Sequence, residues 1–160
     1  MLIRLASPAD GPRLAAIYRP AVIDHATSFE LEPPDGAEMG RRVMALSRRT
    51  PWLAAEESGN LLGYAYASPH RDRPAYAWSV EVSAYVDHSA HRLGVGRALY
   101  RSLIAILRLQ GFQSGYAGIT LPNPALYDRA AAGGRSGAGE RHWVSGTLSA
   151  GGAGAPPLPN

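Results

Sequence analysis

One segment, Tyr85–Tyr100, limits the possible folds of this chain more than any other. A strand-like apolar run enters a loop with two glycines, and the loop opens directly into an amphipathic helical pattern. Backbone N–H groups at the start of such a helix, together with Arg92 and Arg97, favour binding of an anion such as a pyrophosphate. Gly94 and Gly96 would let the ligand approach the backbone. From these residues alone, an ordinary tight strand-to-helix turn is an equally good interpretation.

The usual nucleotide-binding fingerprints do not match this segment. The dinucleotide pattern needs a glycine where the chain has Leu99, and no Gly-Lys-Ser/Thr run occurs. The formal net charge is +3, and the arginines are spread along the chain rather than gathered in a stripe with aromatic residues. We therefore expect no nucleic-acid partner.

Apolar periodicity predicts a mixed α/β domain around this segment. Ser7 and Asp35 are predicted to begin two helices, because each lies three residues before an acidic residue and ahead of an apolar helical face. A third helix is predicted at residues 96–110, ending at Gly111. Strands are predicted at residues 2–5, 52–56, 61–68, 78–86 and 116–121. This order of elements differs from a strict βαβ repeat.

Length and composition narrow the class of protein further. A chain of 160 residues suits one domain, and the absence of cysteine excludes disulfides, thiolate zinc sites and cysteine nucleophiles. No apolar run is long enough to span a membrane and no signal-peptide pattern is present, so we expect a cytoplasmic protein without a membrane partner. We expect no metal, and we interpret four histidines as surface residues: His25, His70, His88 and His142.

Four motifs, in order along the chain, are similar to those of a known enzyme family. They are TSFELEPP at 27–34, WSVEVSAYV at 78–86, HRLGVG at 91–96 and GITLPN at 118–123. The third resembles the Gln/Arg-x-x-Gly-x-Gly/Ala pattern of the GNAT superfamily, with His91 at the Gln/Arg position. Over residues 1–125 the set resembles the phosphinothricin and methionine sulfoximine N-acetyltransferase branch. The resemblance implies the GNAT fold, in which helices flank a central, mostly antiparallel sheet.

The same resemblance implies an acetyl-CoA-dependent N-acetyltransferase, a homodimer that acetylates the amino or imino group of a small amino-acid analogue. The residues expected to hold acetyl-CoA are Ala84, Tyr85, Val86, Arg92, Leu93, Gly94, Val95, Gly96, Arg97 and Asn123. The residues expected to line the acceptor pocket are Phe29, Glu30, Arg71, Arg73 and Tyr76. Simple sheet pairing, a turn asparagine and solvated loop arginines are the alternative interpretations of these positions.

Glu81 is the predicted general base. An amine must lose a proton to attack a thioester, and a strand carboxylate beside the acetyl group can remove that proton through a water molecule. The resemblance places the family's base at Glu81, whereas the residue alone is more typical of a solvent-facing position on a strand. Two other functions stay open: a GNAT enzyme with another amine or a peptide N-terminus as acceptor, and a non-catalytic acyl-CoA-binding remnant.

Residues 126–160 depart from the family pattern and are rich in Gly, Ala, Ser, Pro and Arg. We expect a poorly ordered tail without helix or strand, which would leave the sheet short of its last strands. The codons implied by residues 142–152, when shifted by one base, permit the family's ending Leu-Gly-x-Trp-His-Asp-Val-Gly-Trp-Trp except at Asp. We therefore hypothesise a frameshift between about Asn123 and His142, with an unrelated tail as the alternative. The coding DNA distinguishes the two.

Overall fold

A six-stranded sheet in chain order forms the centre of the molecule. The structure is a computed structural model that describes residues 1–24, 28, 30–120 and 141–148. Its strands and helices are β1 Leu2–Leu5, α1 Gly11–Ile23, α2 Gly36–Leu46, β2 Trp52–Glu57, β3 Asn60–Pro69, β4 Ser79–Val86, α3 Val95–Leu109, β5 Ser114–Thr120 and β6 Arg141–Thr147. All neighbouring strands are antiparallel except β4 and β5, which are parallel. The expected mixed, mostly antiparallel fold is confirmed.

The predicted helix starts are also confirmed, with one change. The Asp35 carboxylate accepts a hydrogen bond of 2.7 Å from the Glu38 N–H and caps α2. The Asp10 carboxylate accepts from the Ser7 N–H at 2.7 Å. Here the first turn, Pro8–Asp10, is a 3-10 helix, and the α-helical turns begin only at Gly11. Within the described residues, no helix is long and apolar enough to cross a lipid bilayer.

Two hydrophobic clusters lie on opposite faces of the sheet. One contains the buried face of α3, and the other contains the buried faces of α1 and α2. Side chains alternate along β4, so Val80 and Val82 face α3 while Tyr85 packs with α1 and α2. Glu81 and Ser83 therefore point to the same side of the sheet as Tyr85.

The sheet opens between β4 and β5. Within the described residues these two strands pair only where Ser79–Glu81 meets Ser114–Tyr116. On its other edge β4 pairs with β3 along its whole length, from Val80 to Val86. Beyond Glu81, the described part of β5 gives this edge of β4 no strand partner, and we call the gap between the two strands the cleft.

Part of the tail, residues 141–148, contributes a strand to the sheet and a buried side chain to the core. Residues 141–147 form β6, which pairs with all of β5, and the Leu148 side chain is 4% exposed in the cluster around α3. The expectation of no strand after residue 125 is therefore wrong for this segment. The physical reason is that β5 offers an open row of backbone groups, which a strand of almost any composition can pair with. The rest of the tail lies outside the described residues, and the division at residue 125 stays a prediction.

Candidate active site

The Glu81 side chain lies at the mouth of the cleft. Its neighbours across the sheet are Ser68 on β3 and Tyr116 on β5, and it is the last residue at which β4 and β5 pair. The side chain is 35% exposed, and its Oε1 lies 3.1 Å from the Nδ1 of His70. A carboxylate in this position can reach a ligand in the cleft and is also held by the protein.

His70 is not the surface residue that its sequence context indicated. Its side chain is only 11% exposed. The ring stacks on Tyr116, with centroids 4.1 Å apart and an interplanar angle of 10°, and meets the edge of Tyr76 at 5.7 Å. Strand β3 runs on to Pro69, so the next residue falls diagonally opposite Glu81. The predicted end of β3 at residue 68 concealed this pairing.

The predicted anion loop, Arg92–Arg97, follows the end of β4. Arg92 and Gly94 have φ angles of +64° and +80°, and a Cβ on Gly94 would meet only open space. The first α-helical hydrogen bond runs from the Ala98 N–H to the Gly94 carbonyl, so the N–H groups of the residues between them have no acceptor within the helix. The loop thus presents a row of backbone donors at an exposed helix start, which is the geometry that binds a phosphate.

His91 ties this loop to the cleft. Its Nε2 lies 3.1 Å from the Val86 carbonyl oxygen, the last residue of β4. The ring therefore fixes the loop against the strand that carries Glu81.

The predicted pantetheine-binding residues lie along the free edge of β4. Ala84, Tyr85 and Val86 pair with β3 on one side, and the described part of β5 does not pair with them on the other. Alternate backbone groups of these residues therefore face the cleft, where they are not used in pairing with the described part of β5. The two remaining predicted contacts, Asn123 and Phe29, lie outside the described residues.

The predicted acceptor residues do not all lie beside Glu81. Tyr76 lies beside His70 and therefore close to Glu81, with the guanidinium carbon of Arg71 5.6 Å from its ring centroid. Arg71 and Arg73 are exposed and line a shallow surface pocket together with Arg49, rather than closing over Glu81.

Glu30 is engaged elsewhere. Both of its carboxylate oxygens accept hydrogen bonds from Arg42 on α2, at 2.8 and 3.0 Å, and one also accepts from the Tyr18 hydroxyl at 2.9 Å. These bonds, above all those from Arg42, lower the pKa of Glu30. Glu30 therefore anchors its loop to α1 and α2, which supports the shape of the acceptor side without offering a free carboxylate.

Three aromatic side chains that were not predicted as site residues, Trp52, Tyr64 and Tyr66, form a wall with Tyr85 across β2, β3 and β4. Trp52 stacks on Tyr66 with centroids 4.3 Å apart, and Tyr64 lies beside Tyr85 at 5.3 Å. Burial raises the pKa of Tyr66 and raises that of Tyr64 further. The alternation of two tyrosines along β3 was the available signal, but it is equally typical of an ordinary strand. In the part of the chain that the structure describes, no group of three or more acidic or histidine side chains could hold a metal ion.

Comparison with known proteins agrees with this geometry. A model of the acetyltransferase (GNAT) family matches residues 19–130. The phosphinothricin N-acetyltransferase of Streptomyces viridochromogenes is 40% identical over 121 residues, which are 76% of this chain and 66% of that protein. That of Alcaligenes faecalis is 43% identical over 104 residues, 64% of this chain and 53% of that protein. The chain thus spans between half and two thirds of the length of these relatives.

A solved structure also supports the similarity to GNAT acetyltransferases. A GNAT superfamily phosphinothricin acetyltransferase from Sinorhizobium meliloti, crystallised in complex with acetyl-CoA, superposes with a TM-score of 0.84 at 31% identity. The match covers 98% of this chain and 92% of that one. The splayed sheet, the glycine loop and the sequence similarity agree, and the chain belongs to the GNAT acetyltransferase family.

Proposed function

We propose that this protein is an acetyl-CoA-dependent N-acetyltransferase that acetylates the amino or imino group of a small amino-acid analogue of the phosphinothricin or methionine sulfoximine type. The observation that carries the proposal is the position of Glu81, a partly exposed carboxylate where β4 and β5 separate. The relatives named for phosphinothricin acetylation support the choice of acceptor. A homodimer and a cytoplasmic location stay predictions from the sequence.

The residues that follow Glu81 along the chain fit acetyl-CoA. The free donors of the Arg92–Arg97 loop suit its diphosphate, and the open space at Gly94 allows close approach of the ligand. The edge of β4 at Ala84–Val86, with which the described part of β5 does not pair, suits the amide groups of the pantetheine arm. When bound, acetyl-CoA supplies an acetyl group activated as a thioester.

Glu81 supplies the proton chemistry on the acceptor side. An ammonium group loses a proton to the carboxylate, and the nitrogen lone pair becomes free to attack the acetyl carbonyl carbon. An N–H of the β4 edge can stabilise the oxyanion that forms. The C–S bond of the thioester would then break, and the departing CoA thiolate would take up the second proton that the nitrogen loses. Tyr76, which lies beside His70, would meet the bound amino acid, and the exposed guanidinium groups of Arg71 and Arg73 could pair with its carboxylate as it approaches.

The test is thiol release from acetyl-CoA with a panel of amines: phosphinothricin, methionine sulfoximine, other amino acids, aliphatic amines and a short peptide. Because the chain has no cysteine, a thiol reagent reports only the CoA product. Turnover with the first two amines supports the proposal. Turnover only with the others assigns a different acceptor, and thermal stabilisation by CoA without turnover assigns a non-catalytic acyl-CoA-binding protein. A frame-restored chain, assayed beside this one, measures what residues 126–160 contribute.

Glu81→Gln tests the base. Gln is nearly isosteric but cannot accept a proton, so we expect kcat to fall by roughly a hundredfold or more while acetyl-CoA binding stays unchanged. Binding is measured separately by calorimetry with CoA. Unchanged turnover in this variant would contradict the assignment of Glu81 as the base.

A further inference from the structure

We propose that His70 is a positioning residue that orients the Glu81 carboxylate for proton removal. The inference rests on the proposed acetyltransferase function and adds a second side chain to its proton-handling site. It is carried by the 3.1 Å contact between His70 Nδ1 and Glu81 Oε1 and by the packing that holds the imidazole in place.

If the Glu81 carboxylate is ionised, the proton of the bond between His70 and Glu81 belongs to the imidazole. An ionised carboxylate only accepts hydrogen bonds, so Nδ1 of His70 carries the proton and donates it to Oε1 of Glu81. Within the described residues, Oε1 is the bonded oxygen of this carboxylate, which leaves Oε2 for the acceptor nitrogen. When the ammonium proton moves to Oε2, the charge on the carboxylate is removed and the amine becomes neutral, so the step balances within the pair.

The imidazole is itself held by packing on two sides. Its face lies flat on Tyr116 and its edge meets Tyr76, and only 11% of the side chain is exposed. The three rings come from separate parts of the chain: the loop after β3, the 3-10 turn Pro74–Tyr76 and strand β5. Glu81, by contrast, has a flexible side chain that is 35% exposed. A rigid donor therefore restrains a mobile base, and this lowers the ordering entropy that the reaction must otherwise overcome.

Two substitutions separate the hydrogen bond from the packing. His70→Phe keeps an aromatic ring on Tyr116 but removes the donor. His70→Asn loses the ring, while its amide nitrogen can occupy nearly the position of Nδ1 and donate to Glu81. His88→Asn is the matched control, because His88 is an exposed histidine whose ring lies 4.9 Å from that of His91 and not beside the rings around Glu81.

We expect His70→Phe to lower kcat by roughly tenfold to a hundredfold, the loss typical of one hydrogen bond to a charged group. The KM for acetyl-CoA should stay unchanged, because the substitution is on the acceptor side of the sheet. His70→Asn should recover most of kcat, and His88→Asn should behave as the unmodified protein. Full kcat in His70→Phe, or an equal loss in His70→Asn, would overturn the inference.

A second measurement does not depend on turnover. In protein labelled with ¹⁵N, long-range proton–nitrogen correlation reports which ring nitrogen carries the proton. We expect His70 to be protonated on Nδ1 and to lose this preference in Glu81→Ala; an Nε2–H tautomer in the unmodified protein overturns the inference. If the unmodified protein acetylates no amine, the proposed function fails; if it is active and His70→Phe is equally active, only the inference fails.

Discussion

At the scale of single residues, Asp10 belongs to the capping motif of the first helical turn and also binds Arg4 on the neighbouring strand. The Asp10 carboxylate, at the end of the first helical turn, also accepts two hydrogen bonds from Arg4 on β1, at 2.8 and 2.9 Å. The hydrogen bonds from Arg4 lower the pKa of Asp10 from 3.8 to about 2. The pair therefore joins the first strand to the first helix.

This pair predicts a specific dependence of stability on pH. Because the pKa of Asp10 is lower in the folded chain, its contribution is fully present above about pH 4 and is lost as pH falls towards about 2. We expect Asp10→Asn to lower the free energy of unfolding by roughly 1–2 kcal/mol at pH 6 and by little at pH 2. Urea unfolding at both pH values measures this difference. Asp72→Asn, at an exposed loop carboxylate, is the control, and an equal effect of the two substitutions would contradict the prediction.

The chemistry-bearing residues differ in how well the sequence predicted them. Glu81 and the Arg92–Arg97 loop lie within short contiguous motifs, so their local geometry follows from neighbouring residues. The role of His70 depends on the register of two strands, which no local pattern contains. Glu30 was predicted as an acceptor contact, but a residue on another helix, Arg42, occupies its carboxylate.

At the scale of elements, the contact between α1 and α2 depends on the absence of a side chain at Gly11. A Cβ at this position would lie 2.1 Å from the Gly36 carbonyl oxygen and 3.0 Å from the Gly40 nitrogen. These are backbone atoms and cannot move without moving the helix. The two helices therefore approach each other through their glycines, on the face of the sheet where they pack against Tyr85.

Gly11→Ala is expected to destabilise the fold by roughly 1–3 kcal/mol, because the added methyl group forces the helices apart. Thermal or urea unfolding measures the loss. The control is Gly96→Ala at the start of α3, where a Cβ would lie at an ordinary 3.5 Å from a Val86 methyl group. We expect this control to unfold like the unmodified protein; similar stability of both variants would show that α1 and α2 pack otherwise.

At the scale of the whole molecule, β6 closes the sheet on the side of β5. Leu148, just beyond it, donates its N–H to the Gln113 carbonyl at 2.7 Å and buries its side chain against the α3 cluster. The docking of this segment decides whether the edge of β5 is covered or exposed to association with other chains.

Leu148→Ala tests that docking. If the segment is packed as described, removing a side chain that is 4% exposed should cost roughly 2–4 kcal/mol of the free energy of unfolding. Leu109→Ala, at the 89% exposed end of α3, is the control and should change little. Equal stability of the two variants would restore the expectation of an unpacked tail.

The sequence by itself determined the local features of this protein. The helix caps at Ser7 and Asp35, the hairpin between β2 and β3, and the glycine loop before α3 all follow from residues a few positions apart. The cleft after Glu81, the hydrogen bond from His70 and the pairing of β6 with β5 were decided only by the tertiary structure. The physical reason is that strand partners and register depend on backbone groups distant along the chain, which every residue type carries alike.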